Sequence, residues 1–282
     1  MRFSLSAAFG CACVLMLSVA GTASASGTVR APAPFLTKSV KTQLADKGTA
    51  KVAAEALNTE CPGVQGAGVS AAGCIVAPAG CTANFIFAGG GNKYVGTARH
   101  CVERIGQEVT MQLDTTTIGV VGTVSHMTSG EGVPGNDWAL VKIDPAVAAK
   151  WGVTPAIPVV GGPQGIYTGC GATPVAHYGH GYGVAVGPGK LEAGLATNLY
   201  DDGYGWTGFG APGDSGSAVV TGPGGQAVGD FTHLIVDTGA YLGNDLAGTR
   251  ITKALSQFGV SLVNADGSTT GAAGTSCGAA PN

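Results

Sequence analysis

Gly213-Asp214-Ser215-Gly216 follows, in chain order, Thr97-Ala98-Arg99-His100-Cys101 and Asn136-Asp137-Trp138-Ala139-Leu140-Val141. A serine hydroxyl is a weak nucleophile until a base takes its proton, and that base needs a third group to orient it. The three stretches supply one residue for each role. A small residue precedes Arg99-His100 and a cysteine follows, while Asp137 opens the apolar run Trp138 to Ile143. In a chain with 49 glycines a four-residue motif says little alone. Three motifs in the order His, Asp, Ser, 37 and 78 residues apart, say much more together.

These motifs resemble those of the trypsin/chymotrypsin-like serine proteases, the short secreted bacterial members more than the animal ones, over roughly residues 81–263. The resemblance implies an all-β fold of two antiparallel six-stranded β-barrels with a short C-terminal helix. It implies His100 as general base, Asp137 as its orienting carboxylate and Ser215 as nucleophile, with the amides of Gly213 and Ser215 forming the oxyanion hole. Asp214 becomes the buried carboxylate that shapes the nucleophile loop, and Cys81–Cys101 a disulfide beside the histidine. Bacterial members hold the aspartate with a basic side chain of the second barrel, and His180 falls near that place. Counting back from Ser215 puts the floor of the specificity pocket near Phe209, with Thr232-His233-Leu234 as its far wall. No acid stands there, so a preference for Lys or Arg is not expected. A small or apolar residue before the cut bond is expected or, through His233, an acidic one. The chain departs from the family at Gly216-Ser217-Ala218, where Gly-Gly-Pro is commoner.

The chain begins as an exported protein does. Met1-Arg2 precedes an apolar stretch from Ala7 to Ala20, and Ala23-Ser24-Ala25 offers small residues for cleavage. A signal peptide over 1–25 carries away Cys11 and Cys13. The six remaining cysteines suit disulfides in an oxidising compartment. Cys61, Cys74, Cys170 and Cys277 allow three pairings, which the sequence leaves open. From Cys61 onward 8 Lys and Arg face 14 Asp and Glu, an acidic balance that argues against nucleic acid or an anionic membrane as partner.

Residues 26–60 differ in character. Ala31-Pro32-Ala33-Pro34 leads into Leu36, Val40, Leu44, Val52 and Ala56, which suggest one helical face of a pro-segment or N-terminal arm. The protease domain is expected over 61–263, its first barrel about 74–157 and its second about 158–263. Alternating segments predict strands at 84–88, 93–97, 109–113, 118–124 and 138–143, then at 174–178, 183–186, 190–198, 217–221 and 226–236. Ile251 to Phe258 reads as a closing helix, and 264–282 as a loose tail tied only at Cys277.

His177 and His180 are spaced like a metal pair, but no third ligand accompanies them, and no metal or cofactor is expected. A secreted, monomeric serine endopeptidase acting on protein or peptide is therefore the expected function. Its rate should rise with pH through roughly 7, as an imidazole base requires. An idle binding module on the same fold, or an esterase using the same three residues, are the alternatives.

Overall fold

The computed structural model describes residues 68–130, 132–181, 191–211, 213–222, 225–235 and 245–279. The signal peptide, the arm and the strand expected at 183–186 lie outside them.

The N-terminal half carries β1 (Val69–Ser70), β2 (Cys74–Ala77), β3 (Cys81–Thr82), β4 (Ile86–Gly89), β5 (Asn92–Thr97), β6 (Glu108–Gln112), β7 (Ile118–Met127), β8 (Ala139–Ile143) and β9 (Val153–Thr154). The second half carries β10 (Thr173–Tyr178), β11 (Leu191–Leu199), β12 (Gly203–Thr207), β13 (Ala218–Val220), β14 (Ala227–Ile235) and β15 (Asp245–Arg250), then β16 (Ser261–Val263) and β17 (Thr269–Thr270). Helix α1 (Pro145–Trp151) follows β8, and α2 (Ile251–Phe258) follows β15.

The molecule is mostly β. One six-stranded barrel closes, in the order β10-β11-β12-β15-β14-β13, because β10 pairs with β11 on one edge and with β13 on the other. The other half is a nine-stranded sheet, β17-β16-β4-β5-β8-β7-β6-β2-β3, so the expectation of two closed barrels is met in one. The sheet's far edge is supplied by the chain's own C-terminal end. After α2 the chain crosses back and lays β16 on β4, then folds β17 onto β16. The tail is thus anchored along its described length. Asp266 and Gly267 turn the hairpin, and Cys277 is bridged to Cys170.

Local chemistry explains the helices. Asp144 caps α1, its carboxylate accepting from Ala146 N–H at 2.7 Å, and Pro145 fills the first turn, where a missing N–H costs nothing. In α2, Ile251, Ala254, Leu255 and Phe258 repeat at three- and four-residue steps and pack on the core, and Gly259 ends the helix in the left-handed conformation. One core gathers Phe85, Phe87, Met111 and Trp138 with Tyr178, Val220 and the buried face of α2, and so spans both halves. A second, inside the barrel, holds Val175, Trp206, Phe231 and Leu246.

Cys81–Cys101 forms as the family resemblance implies, and Cys170–Cys277 resolves one of the open pairings. Cys74 is also disulfide-bonded. Loops of 20 and 107 residues are closed by the two bridges. Chain-entropy arguments assign such loops about 3 and about 5 kcal/mol. Among the described residues no helix is long and apolar enough to cross a membrane.

Candidate active site

Register brings His100 and Asp137 together. In the β5–β8 pair Thr97 faces Ala139, so the chain three residues past Thr97 meets the chain two residues before Ala139. There Arg99–Cys101 makes a single 3-10 turn that presents His100. Asp137 grips it twice. One carboxylate oxygen lies 2.6 Å from His100 Nδ1, and the other accepts from the His100 main-chain N–H at 2.9 Å. Asp137 is 0 % exposed, whereas the His100 side chain is 31 % exposed. Burial pushes the Asp137 carboxyl up, but the charge and hydrogen bonds of His100 outweigh it and hold the group below its ordinary value. An ionised Asp137 fixes the Nδ1–H tautomer, leaving Nε2 as the basic nitrogen.

Ser215 stands on a turn between Gly213 and Gly216, both at positive φ (+104° and +88°). Its carbonyl accepts from Thr82 N–H at 2.9 Å, and Gly216 N–H donates to Phe231 O at 2.7 Å. The loop is therefore pinned to the first half through β3 and to the barrel through β14. Asp214 is buried behind it and accepts from the amides of Gly181 (2.6 Å) and Ala211 (2.7 Å). A side chain at Gly179 would overlap the Asp214 carboxylate.

The main chain beside His180 thus cradles Asp214, but the ring itself turns Nε2 to the carbonyl of Ala72 at 2.9 Å. The charge of the His177 imidazole bears on Asp214. Its Nδ1 lies 2.9 Å from Ser217 Oγ, and its Nε2 lies 3.0 Å from Glu192 and 3.2 Å from the Phe209 carbonyl. Burial would lower the pKa of His177, but the bond to Glu192 and the charges of Asp214 and Glu192 raise it above the ordinary value. Burial raises the Asp214 carboxyl, against the opposing charge of His177. His177, Glu192 and Asp214 are also the described group, outside the disulfide beside His100, whose ligand atoms lie within 4.8 Å of one another. Each of those residues also has protein hydrogen-bond partners. Of the two spaced histidines, His177 turns Nε2 to Glu192 and His180 turns Nε2 to the Ala72 carbonyl.

Of the residues assigned to the specificity pocket, Thr232 and His233 touch, Thr232 Oγ1 lying 2.8 Å from His233 Nδ1. Phe209 is 56 % exposed, not seated at a floor. Thr232 is buried and its hydroxyl donates to Ala247 O at 3.2 Å. His233 is 2 % exposed, its ring centroid 6.0 Å from that of His100 and its Nδ1 3.9 Å from Asp137. Burial pushes its pKa down to about 4, the charge of Asp137 opposing and that of His100 assisting. In the uncomplexed chain His233 is therefore a neutral imidazole beside Asp137.

Three residues of this region carried no signal in the sequence. Thr82 is one. The other two are Thr249, whose hydroxyl accepts from Asp137 N–H at 3.1 Å, and Asp230, whose carboxylate accepts from Thr249 N–H at 3.1 Å. Asp230 is fully buried, and its second carboxyl oxygen has no hydrogen-bond partner among the described residues. Burial, reinforced by the charge of Asp137, pushes its carboxyl well above the ordinary value. The sign follows from linkage: the folded state keeps a proton that the unfolded chain releases, so stability is full below about pH 4 and falls as pH rises toward the folded-state value. Asp230→Asn removes that loss. Its thermal midpoint should rise relative to wild type between pH 4 and pH 8, each unit of raised pKa being worth about 1.4 kcal/mol. Melting curves at pH 4, 6 and 8 that stay parallel for the two proteins would refute a neutral Asp230.

Among solved structures the chain is similar to Protease A of Thermobifida fusca, at 23 % identity and a TM-score of 0.49 over 70 % of this chain and 100 % of that one. A glutamic acid-specific serine protease described as using a histidine triad in substrate binding matches at 22 % identity and 0.48, over 68 % of this chain and 98 % of that one. The chymotrypsin of Cellulomonas bogoriensis matches at 21 % and 0.43, over 68 % and 96 %. The likeness is to bacterial chymotrypsin-like serine proteases. No family model and no curated protein matches the chain.

Proposed function

We propose that the chain is a secreted serine endopeptidase, with Ser215, His100 and Asp137 as its triad at the meeting of its two β halves. The observation that carries this reading is the pair of hydrogen bonds that His100 donates to Asp137. That geometry orients a general base and has little use in a passive fold. Ser215, on its glycine-flanked turn, attacks the scissile carbonyl while His100 Nε2 takes its proton. The carbonyl oxygen becomes an oxyanion, received by the amides of Gly213 and Ser215. His100 then returns the proton to the leaving amine, and water, activated by the same imidazole, releases the acyl group. Throughout, Asp137 keeps Nδ1 protonated and offsets the positive imidazolium. The apolar leader at Ala7–Ala20 and the disulfides support export to an oxidising compartment. Protein or peptide is the substrate class, and a monomer is the working state.

Fluorophosphonate labelling tests the reading, with wild type beside Ser215→Ala and intact-mass and peptide mass spectrometry of both. The expected result is one phosphonyl group on Ser215 in wild type and none in the variant. A folded, fully processed wild type that takes no label would remove the protease reading and favour a binding module.

A further inference from the structure

We propose that Thr82 is a positioning residue of the oxyanion hole, a role that rests on the serine-protease reading above. Thr82 is fully buried on β3, next to the disulfide-bonded Cys81. Its amide N–H donates to the Ser215 carbonyl at 2.9 Å, and its hydroxyl donates to the Gly213 carbonyl at 2.9 Å. The same hydroxyl accepts from His180 N–H at 2.9 Å, and the Thr82 carbonyl accepts from Thr97 Oγ1 at 3.0 Å.

A peptide unit is planar, so holding both its C=O and its N–H sets its orientation. The Gly213–Asp214 peptide is held at its carbonyl by the Thr82 hydroxyl and at its N–H by Ala211 O, 3.0 Å away. The Ser215–Gly216 peptide is held at its carbonyl by the Thr82 amide and at its N–H by Phe231 O. Between these two fixed planes lies the peptide that carries the Ser215 N–H, and just before them the one that carries the Gly213 N–H. Those are the two donors assigned to the oxyanion. One residue thus clamps alternate peptides, fixing the plane on either side of the peptide that carries the Ser215 N–H and the plane that follows the one carrying the Gly213 N–H. Through Thr97 and Cys81 it also ties the nucleophile loop to the segment that presents His100.

The amide bond of Thr82 survives any substitution but proline, whereas the hydroxyl bond is removable. Thr82→Val keeps the shape and deletes the hydroxyl, leaving the Gly213 carbonyl without its donor. Loss of a whole oxyanion donor lowers kcat by about a hundredfold to a thousandfold, and misaiming one should cost less, about tenfold to a hundredfold. With p-nitrophenyl acetate the loss should fall on kcat, with KM within about twofold. Affinity for 2-phenylethylboronic acid, whose tetrahedral adduct uses the same donors, should fall by a similar factor. Thr82→Ser restores the hydroxyl and should recover most of both losses. If Thr82→Val does not melt cooperatively, Thr82→Ala carries the same measurement. A folded, hydroxyl-free variant with wild-type kcat and boronate affinity overturns the proposal, as does a loss seen only in KM. A wild-type protein that takes no fluorophosphonate fails the protease reading instead, so the two failures are distinct.

Discussion

Asp137→Asn is expected to lower kcat by about four powers of ten, the loss seen when the triad aspartate of a serine protease is replaced this way, and to leave the fold intact. Both Asp137 oxygens accept from donors on His100, the ring Nδ1–H and the main-chain N–H. Asparagine has one carbonyl oxygen and one NH2 group. If the oxygen faces the main-chain N–H, the NH2 faces Nδ1 and forces the proton onto Nε2, where it blocks the base. If the oxygen faces Nδ1–H, the NH2 confronts the main-chain N–H, donor against donor. No water relieves either arrangement, because the group is buried. The charge that offsets the imidazolium is lost in both. The Asp137 N–H bond to Thr249 uses only the main chain and remains. Acylation by p-nitrophenyl acetate from pH 5 to 9, with melting curves beside it, checks this. A folded variant within tenfold of wild type would show that Asp137 does not act on the base.

The parts of this site that were legible in the sequence are those whose chemistry is written in neighbouring residues. His100, Asp137 and Ser215 sit in short motifs, and α2 announces itself by the spacing of Ile251, Ala254, Leu255 and Phe258. What was hidden depends on partners far along the chain. Thr82 lies 131 residues from Gly213, and Thr249 lies 112 from Asp137. A threonine on a strand gives no hint of such a partner. His177 and His180 show why register matters. The sequence offers two histidines three apart, and the family resemblance points to His180 as the partner of Asp214. Pairing of His177 with Glu192 on one side of β10 and Val219 on the other turns its ring into the barrel, beside Trp206 and Phe231. His180 lies beyond the end of β10, its N–H donating to the Thr82 hydroxyl, and the N–H of its neighbour Gly181 donates to Asp214.

Strands were missed where glycine blurs the alternation. In β12, Gly203-Tyr204-Gly205-Trp206-Thr207 reads as a loop, yet Tyr204 and Trp206 are buried in the barrel. In β15 a charge ends an apolar strand. Arg250 is buried, its guanidinium donating to the carbonyls of Tyr167 and Gly169. Closure of the first barrel was inferred from family likeness, and it did not anticipate that β16 and β17 return from the C-terminal end to extend that sheet.

Gly216→Ala carries the other large effect, and it acts on stability and activity together. Gly216 has φ = +88°, a conformation that L side chains adopt at a cost of about 1–2 kcal/mol. Space makes the cost larger. A Cβ here would overlap the Thr82 carbonyl oxygen and the Thr97 hydroxyl, and would lie 2.9 Å from the Ala98 nitrogen. Two of these three atoms are main chain and the third is a buried hydroxyl already bonded to Thr82 O, so none is the free end of a flexible side chain. Relief requires moving the nucleophile loop away from β3 and from the segment leading to His100. That motion breaks the Thr82 bonds to Gly213 and Ser215, and the Gly216 N–H bond to Phe231. Strain plus two or three buried hydrogen bonds, at about 1 kcal/mol each, sum to about 3–5 kcal/mol. For a domain of about 200 residues this lowers Tm by about 10 °C. Below that new Tm the variant should still take up the fold and label with fluorophosphonate at least a hundredfold more slowly, because moving Ser215 away from His100 would disable the proposed triad. Wild-type melting together with wild-type labelling would mean that the loop and β3 are not in the close contact described, and the clamp by Thr82 would fall with it.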